Sequence, residues 1–241
     1  MLRDKIILVT GSSRGIGQAI VQNCLNNEAT VIANYRNETP FIANLEKDYG
    51  SERCMIFSAD ISIDEEVSTM IRKIENKFGH IDGIVNNAGV ISRSPNWKSI
   101  HHSEWLDTIN TNVIGAWNVL RYGTEIMNDN GSIVNIASIY GMYPDSKTLT
   151  YSISKAGIIA LTQALAKELS PKIRINAITP GNTLTQMTPD LKTQNMIENK
   201  TLLKRSAKAN EIANVAVFLL SNYSSYITGS IIPVDGGYHI I

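Results

Sequence analysis

The sequence has no excess charge of either sign and very few cysteines. Among its 241 residues, 22 Lys and Arg balance 22 Asp and Glu, so no net field attracts a polyphosphate or an anionic membrane surface. We therefore expect no nucleic-acid partner. Cys24 and Cys54 are the only cysteines and form no Cys-x-x-Cys or Cys/His cluster, which predicts buried free thiols rather than a disulfide framework or a zinc site.

Long hydrophobic runs are also missing. No apolar stretch reaches the roughly 18 residues that a membrane span needs, and Met1-Leu2-Arg3-Asp4-Lys5 lacks the apolar stretch of a secretory signal. We expect a soluble, cytoplasmic protein without a membrane partner. Because 43% of the residues are hydrophobic and 18% are charged, the chain can bury a sizeable core, which argues against disorder.

Short apolar runs rich in β-branched residues alternate with segments of helical period. The strand candidates are Ile6–Val9, Thr30–Ala33, Arg53–Phe57, Gly83–Val85, Ser132–Ile136, Arg174–Ala177 and Ser230–Val234. The helix candidates are Gly15–Asn26, Asp64–Lys77, Ser103–Met127, Tyr151–Leu169 and Asn210–Leu220. Continuous apolar strands are typical of a parallel sheet covered by helices on both faces.

This alternation predicts an α/β protein, with a Rossmann-type doubly wound fold and a seven-stranded, mostly parallel sheet flanked by helices. No linker, composition break or repeat divides the chain, so we expect one domain over residues 1–241. The polar stretch 182–208 is predicted to be a mobile substrate loop within that domain.

A glycine-rich turn follows the first strand candidate. Gly11, Gly15 and Gly17 stand where the backbone must turn tightly and approach a pyrophosphate at a helix N-terminus. Their Gly-x-x-x-Gly-x-Gly spacing is weak evidence alone, and a tight turn without a ligand is the alternative. Such a turn would not need three glycines and the flanking Arg14, so we predict a nucleotide site.

The end of the second strand candidate bears on the choice of nucleotide. Sites for NAD usually place a carboxylate there, about 20 residues beyond the glycines, to bind the ribose 2′-hydroxyl. This chain has Ala33-Asn34-Tyr35-Arg36-Asn37 instead. A guanidinium can hold a 2′-phosphate with two hydrogen bonds, so Arg36 favours NADP(H), although an ordinary exposed arginine is the alternative.

Tyr151 and Lys155 form a candidate acid/base pair. Their i, i+4 spacing places the phenol and the ammonium on one helix face. A nearby cation favours phenolate, and the ammonium together with an oxidised nicotinamide could lower the phenol pKa toward neutrality. The pair alone is a weak pattern, because a half-buried tyrosine beside a solvated lysine is common.

Three further motifs occur in order along the chain. Asn86-Asn87-Ala88-Gly89 follows the fourth strand candidate, Ser138 ends the fifth, and Pro180-Gly181 follows the sixth. Together with the glycine turn and the Tyr151–Lys155 pair, they resemble the short-chain dehydrogenase/reductase family over nearly the whole chain. The motifs resemble most closely those of its 3-oxoacyl-carrier-protein reductases.

The resemblance implies a role for each matching residue. Tyr151 would exchange a proton with the carbonyl oxygen, Ser138 would bind that oxygen, Lys155 would hold the nicotinamide ribose, and Asn112 would anchor a water in the proton relay. Asp60 would contact the adenine, and Asn86 and Thr183 would line the ribose and the carboxamide. This chemistry requires no metal. The implied cofactor contacts are Gly11, Ser13, Arg14, Gly15, Ile16, Gly17, Arg36, Asp60, Ile61, Asn86, Ala88, Gly89, Tyr151, Lys155, Pro180, Gly181 and Thr183.

The substrate remains open among three hypotheses. The first is NADPH-dependent reduction of a keto group in a 3-oxoacyl thioester or a related biosynthetic ketone, with Tyr151 as acid/base. The second is a dehydrogenase of sugars, polyols or other small secondary alcohols, and the third a non-catalytic NADP-sensing regulator. An acyl carrier protein is a weaker candidate partner, because Met127–Gly131 lacks the basic residues expected for docking and only Lys172 and Arg174 retain positive charge nearby. Lys147, in the loop Tyr143–Thr150, could meet an anionic substrate, and a solvated lysine is the alternative.

Two helical segments carry more apolar surface than one face can hold. Ser103–Met127 and Tyr151–Leu169 each have apolar residues on more than one face, which requires a second packing partner. We predict a homo-oligomer, a tetramer built on these helices as in the resembling family.

Overall fold

Seven strands of the computed structural model form one sheet. The structure describes residues 1–94, 96–187 and 198–240. The strands are β1 Ile6–Val9, β2 Thr30–Tyr35, β3 Cys54–Ser58, β4 Ile81–Asn86, β5 Met127–Ile136, β6 Ile173–Pro180 and β9 Ile231–Val234. They lie in the order β3-β2-β1-β4-β5-β6-β9, and each neighbouring pair is parallel. The predicted seven-stranded α/β fold is confirmed.

Helices cover both faces of this sheet. They are α1 Gly15–Asn26, α2 Pro40–Tyr49, α3 Asp64–Phe78, α4 His102–Ile109, α5 Gly115–Gly123, α6 Ile139–Met142, α7 Leu149–Leu169 and α8 Ala209–Leu220. One buried cluster joins β1 and β2 to α1, α2 and α8, and a second joins the sheet to α3, α5 and α7. Cys24 and Cys54 are buried and unpaired, as predicted, and burial raises the pKa of each thiol to about 12.

Helix α2 was missed in the sequence, although its start carries a local signal. The Thr39 hydroxyl accepts a hydrogen bond from the Ile42 N–H, and Pro40 occupies the first helical position. Both features are typical of a helix N-terminus. The helix buries only Ile42 and Leu45, so its apolar periodicity is short, which explains why a search for long amphipathic stretches passed over it.

The prediction of one helix over Ser103–Met127 is wrong. The structure has α4, a π-helical turn at Asn110–Ile114, α5, and a 3-10 turn at Thr124–Ile126, and Met127 already belongs to β5. In this wider turn, the Asn112 side chain forms two hydrogen bonds with Val90, in the segment that follows β4, and a third with Ser154 on α7. Tertiary contacts therefore override the regular helical period here.

The predicted loop 182–208 is bordered by two short strands. Strand β7 Thr183–Leu184 pairs in parallel with β8 Ala207–Lys208. The Asn182 side chain also donates a hydrogen bond to the Ser206 hydroxyl. The middle of the predicted loop, residues 188–197, lies outside the described residues. Its mobility stays a prediction.

Candidate active site

The reversal of strand order between β1 and β4 creates a crevice at the carboxyl ends of these strands. Because β1 leads outward to β2 while β4 starts the other half of the sheet, the loops after them diverge and leave space between them. A cleft of about 1260 Å³, counted with the solvent at its open mouth, occupies this position. It runs from the glycine turn to Tyr151 and Lys155.

Most residues predicted to bind a cofactor line this cleft. They are Gly11, Ser13, Arg14, Gly15, Ile16, Gly17, Arg36, Asp60, Ile61, Ala88, Gly89, Tyr151 and Lys155. Asn86, Pro180, Gly181 and Thr183 lie outside its lining. The Asn86 side chain is buried and donates to the carbonyl of Ala116 and to Asn135, so a contact with a cofactor would involve its backbone.

The glycine turn brings two loops into direct backbone contact. Gly11 has a φ of 64°, and a Cβ on it would lie 2.7 Å from the Cα of Ala88. Asn87 joins the same loops, since its side-chain amide donates to the carbonyls of Thr10 and Gly11. Helix α1 then starts without a side-chain cap on its first N–H groups. These donors suit a bound phosphate.

Two arginines stand at the nucleotide end of the cleft. Arg36 directly follows β2 and pairs with Asp60, with Nη1 and Oδ2 3.2 Å apart. Burial would raise the pKa of Asp60, but hydrogen bonds from Ser62 and the charge of Arg36 outweigh it and lower that pKa. Arg14 donates from Nη1 to Oε1 of Gln186 over 3.1 Å. Because Arg36 already pairs with Asp60, any phosphate that it binds would share the guanidinium with the Asp60 carboxylate.

Tyr151, Ser138 and Lys155 meet at the other end. Ser138 follows β5 and caps α6, where its hydroxyl accepts from the Tyr140 N–H, and it is also hydrogen bonded to the Tyr151 phenol. Lys155 Nζ lies 5.7 Å from the centroid of the Tyr151 ring and donates over 2.7 Å to the carbonyl of Ile136. The i, i+4 spacing thus brings phenol and ammonium together as predicted.

The pKa of Tyr151 does not follow the expectation that the Lys155 ammonium lowers it. Burial raises the pKa of Tyr151, and the Ser138 hydrogen bond and the charge of Arg93 oppose this rise. Burial lowers the pKa of Lys155 to about 8. Because the ammonium is directed at the Ile136 carbonyl and is itself costly to charge, the protein groups that favour phenolate are Ser138 and Arg93.

Asn112 fixes the segment that follows β4. Its Oδ1 accepts from the Val90 N–H at 2.8 Å, and its Nδ2 donates to the Val90 carbonyl and to the Ser154 hydroxyl, both at 2.9 Å. A Cβ on Gly89 would lie 3.2 Å from Asn112 Oδ1 and 3.5 Å from Lys155 Nζ. The sequence placed Asn112 in the site only through the family resemblance, since its partners are remote in the chain.

Within the predicted substrate loop 182–208, the sequence did not single out the segment Thr185–Met187. These residues line the cleft, and Thr185 Cγ2 lies 3.2 Å from the position of a Cβ on Gly15. Arg14 contacts Gln186 and Arg93 contacts Met187, so arginines from two different loops hold this segment. No local pattern marks it, because its position depends on residues about 94 and 172 positions away in the chain.

Two further features are absent from the described residues. No cluster of three or more His, Cys, Asp or Glu side chains arranged to hold a metal ion occurs among them. Within the same residues, no helix has the length and apolar character required to cross a bilayer.

Comparisons with known proteins agree with this geometry. A family profile described as enoyl-(acyl carrier protein) reductase matches residues 11–239. A 3-oxoacyl-[acyl-carrier-protein] reductase of Thermotoga maritima is 35% identical over 242 residues, which cover 98% of both chains.

Solved structures extend the likeness to the fold. A short-chain dehydrogenase from Burkholderia cenocepacia, in complex with NADP, has a TM-score of 0.94 at 28% identity and 99% coverage of each chain. The ligand-free aldohexose dehydrogenase of Thermoplasma acidophilum has a TM-score of 0.87 at 29% identity, covering 100% of this chain and 96% of that one. The chain belongs to the short-chain dehydrogenase/reductase family. It is an oxidoreductase of that family.

Proposed function

We propose that the protein is an NADPH-dependent reductase that converts the keto group of a 3-oxoacyl thioester to a secondary alcohol. The observation that carries this proposal is the meeting of Tyr151, Ser138 and Lys155 at one end of a cleft whose other end holds Arg14 and Arg36. Relatives named 3-oxoacyl-[acyl-carrier-protein] reductases and the NADP-bound Burkholderia structure support it.

The residues at the nucleotide end fit NADP(H). The uncapped start of α1 offers backbone N–H groups to a pyrophosphate, and Gly11 permits the close approach of the loops around it. Arg36 and Arg14 would hold the 2′-phosphate. To do so, Arg36 would share its fork between that phosphate and Asp60, and Arg14 would exchange its bond to Gln186.

At the chemical end, the protein's task is to bind a carbonyl oxygen and supply a proton to it. The bound cofactor supplies the hydride to the keto carbon. The Ser138 hydroxyl and the Tyr151 phenol would both donate to the keto oxygen, and Tyr151 would transfer its proton as negative charge develops there. A raised pKa keeps the phenol protonated at neutral pH, which suits reduction.

Both candidate docking cations have partners within the protein. Arg174 donates from Nη1 and Nη2 to the carbonyls of Leu219, Ser221 and Ile227. Lys172 stands 3.7 Å from Asp129. An acyl carrier protein that docks at either cation would therefore compete with these contacts. Lys147, the candidate contact for an anionic substrate, is exposed, and its carbonyl accepts from the Ser94 N–H.

The experiment is the loss of reduced-cofactor absorbance with an acetoacetyl thioester. NADPH and NADH are compared at equal concentration, and Tyr151→Phe serves as the blank. The proposal expects fast oxidation of NADPH that falls by about 10²- to 10⁴-fold in Tyr151→Phe, while NADPH still binds. Turnover retained by Tyr151→Phe would remove the phenol from its role.

A sugar or polyol dehydrogenase is the second candidate function. The likeness to the Thermoplasma aldohexose dehydrogenase favours it, with a TM-score of 0.87 and 29% identity. Oxidation of aldohexoses or polyols with NADP⁺, without reduction of the thioester, would select this candidate. NADP binding with no turnover on either panel would select the non-catalytic NADP sensor.

The proposal also covers the oligomeric state of the protein and the compartment in which it works. Leu106 on α4, Ile114 and Trp117 at the start of α5, and Ile153 on α7 are exposed apolar side chains. A second copy of the chain would cover them, and we propose a homotetramer built on these helices. Two buried free thiols also suit a reducing, cytoplasmic compartment.

A further inference from the structure

Arg93 stands on a segment that the protein holds at several points. Asn112 binds both the N–H and the carbonyl of Val90. The Ser92 hydroxyl donates to Glu104 over 3.0 Å, and the Ser94 N–H donates to the Lys147 carbonyl over 2.9 Å. The backbone on both sides of Arg93 is therefore fixed, although its side chain is exposed.

The guanidinium of Arg93 stands at the edge of the cleft. Its Nη2 donates over 3.1 Å to the carbonyl of Met187, which lines the same cleft as Tyr151. The Lys155 ammonium, by contrast, is directed at the Ile136 carbonyl. Burial raises the pKa of both Tyr140 and Tyr151, and the charge of Arg93 acts against that rise at each phenol, which agrees with this position.

Arg93 also has hydrogen-bonding capacity to spare. A guanidinium carries five N–H donors in a rigid plane, and within residues 1–94, 96–187 and 198–240 the bond to Met187 is the one hydrogen bond that Arg93 donates. The remaining donors can bind an oxygen of a substrate already held by Tyr151 and Ser138.

We propose that Arg93 is a specificity-determining residue that binds the thioester carbonyl oxygen of a 3-oxoacyl substrate while Tyr151 and Ser138 bind its keto oxygen. The inference rests on the proposed function and assigns a binding residue to the second carbonyl of its substrate. In a 3-oxoacyl thioester, one CH₂ group separates the two carbonyls. In such a substrate the two oxygens can face the same side, so two sets of donors can bind them together. Moving the carbonyls apart by one more carbon would break one of the two interactions.

The test compares two thioesters of one thiol, N-acetylcysteamine, in wild type, Arg93→Met, Arg93→Lys and Arg72→Met. Arg72 is an exposed arginine on α3 that does not line the cleft, so Arg72→Met is the control. One thioester carries the acetoacetyl group and the other the 4-oxopentanoyl group, in which the carbonyls are one carbon further apart. Arg93→Met should lower kcat/KM for the acetoacetyl thioester roughly 10- to 100-fold, the effect of losing a charged hydrogen bond. It should change the 4-oxopentanoyl value little, with Arg93→Lys intermediate and Arg72→Met close to wild type.

Two changes in kcat/KM would overturn the inference. One is an equal loss on both thioesters in Arg93→Met, and the other is a loss in Arg72→Met as large as that in Arg93→Met. NADPH affinity is titrated separately in each variant, since Arg93 also contacts Met187 at the edge of the cofactor cleft. A lower kcat/KM that is fully explained by weaker NADPH binding would likewise overturn it.

Binding measurements separate this inference from the proposed function. If wild type reduces neither thioester, the proposed function fails, and calorimetric titration of the NADP⁺-bound protein with the acetoacetyl thioester decides the inference. Binding that Arg93→Met weakens would keep the inference without the activity. Binding that does not depend on Arg93, or no binding, would overturn both.

Discussion

The ammonium of Lys155 donates a 2.7 Å hydrogen bond to the carbonyl oxygen of Ile136, the last residue of β5. This contact holds the cation at the end of the sheet, next to Tyr151 and Ser138. Burial there disfavours the charged form and lowers the lysine pKa to about 8 from an ordinary 10.5. Burial of the Lys155 ammonium at this position therefore lowers the free energy of unfolding at neutral pH.

Lys155→Met should stabilise the protein near neutral pH. The folded chain binds the lysine proton more weakly than the unfolded chain, so the charged lysine lowers stability below pH 8, and stability recovers as pH rises from about 8 to 10.5. We expect Lys155→Met to raise the free energy of unfolding by about 1–3 kcal/mol at pH 7, with a smaller gain at pH 10. Urea denaturation at both pH values measures it.

Lys147→Met is the matched control for that experiment. Lys147 is exposed, so its removal should leave the free energy of unfolding nearly unchanged at either pH. A Lys155→Met protein that is less stable than wild type at pH 7 would contradict the prediction, since the Ile136 hydrogen bond would then outweigh the cost of burial.

Arg36→Leu should weaken NADPH binding much more than NADH binding. The variant removes the guanidinium expected to hold the 2′-phosphate, and charged hydrogen bonds of this kind contribute about 1.5–3 kcal/mol. Titration of each cofactor should give roughly a 10- to 100-fold higher Kd for NADPH and a small change for NADH. Arg3→Leu, which removes another exposed arginine paired with a carboxylate, is the control. Equal effects on both cofactors would exclude a phosphate contact.

Asn112→Ala should reduce both stability and turnover. The variant loses three hydrogen bonds and leaves the N–H and carbonyl of Val90 without their side-chain partner, which should cost about 2–4 kcal/mol in urea denaturation. We expect kcat to fall as well, because the segment carrying Gly89 and Arg93 is no longer fixed.

Asn118→Ala separates the two effects of that change. Asn118 is also buried, and its amide donates to the Ile61 carbonyl from α5. It should lose stability while its kcat stays near the wild-type value. A kcat loss as large in Asn118→Ala as in Asn112→Ala would mean that reduced stability alone explains both.

Trp117→Glu should dissociate the assembly. Trp117 and Ile114 are 42% and 40% exposed in the single chain, and a buried carboxylate at a subunit contact is unfavourable. Light scattering coupled to size exclusion should show a tetramer for wild type and for Trp117→Phe, and a smaller species for Trp117→Glu. A wild-type monomer at micromolar concentration would refute the prediction.

The sequence revealed those parts of the site that depend on neighbours in the chain. The glycine turn and the Tyr151–Lys155 pair are local patterns, because a strand-to-helix turn and one helical turn fix their geometry. Arg93 belongs to no such local pattern. Its contacts with Met187 and with two phenols arise from tertiary packing, which no spacing along the chain encodes.

In the fold, too, the features set by neighbouring residues were predicted and those set by tertiary contacts were not. Most strands were predicted with boundaries close to the observed ones because parallel, doubly covered strands are continuous apolar runs. The start of β5 was not, because the strand begins at Met127 and not at the predicted Ser132, and Asn128, Asp129 and Asn130 at its start are polar and exposed. The break between α4 and α5 was not predicted either, since the residues 103–127 keep apolar residues on several faces and no proline or glycine marks the π-helical turn at its start. Its cause is the set of hydrogen bonds that Asn112 makes with Val90 and Ser154.

That π-helical turn also sets the rotational phase between the two helices it joins. An ordinary α-helix turns by about 100° per residue, so deleting one residue from Asn110–Ile114 would rotate α5 by that angle relative to α4. The buried face of α5, with Ala116, Val119 and Leu120, would then swing away from the sheet, and Trp117 would move off the outer surface. The extra residue of the π-helical turn therefore sets two directions at once: the Asn112 amide faces inward and the Trp117 side chain faces outward. A deletion that changes one direction also changes the other.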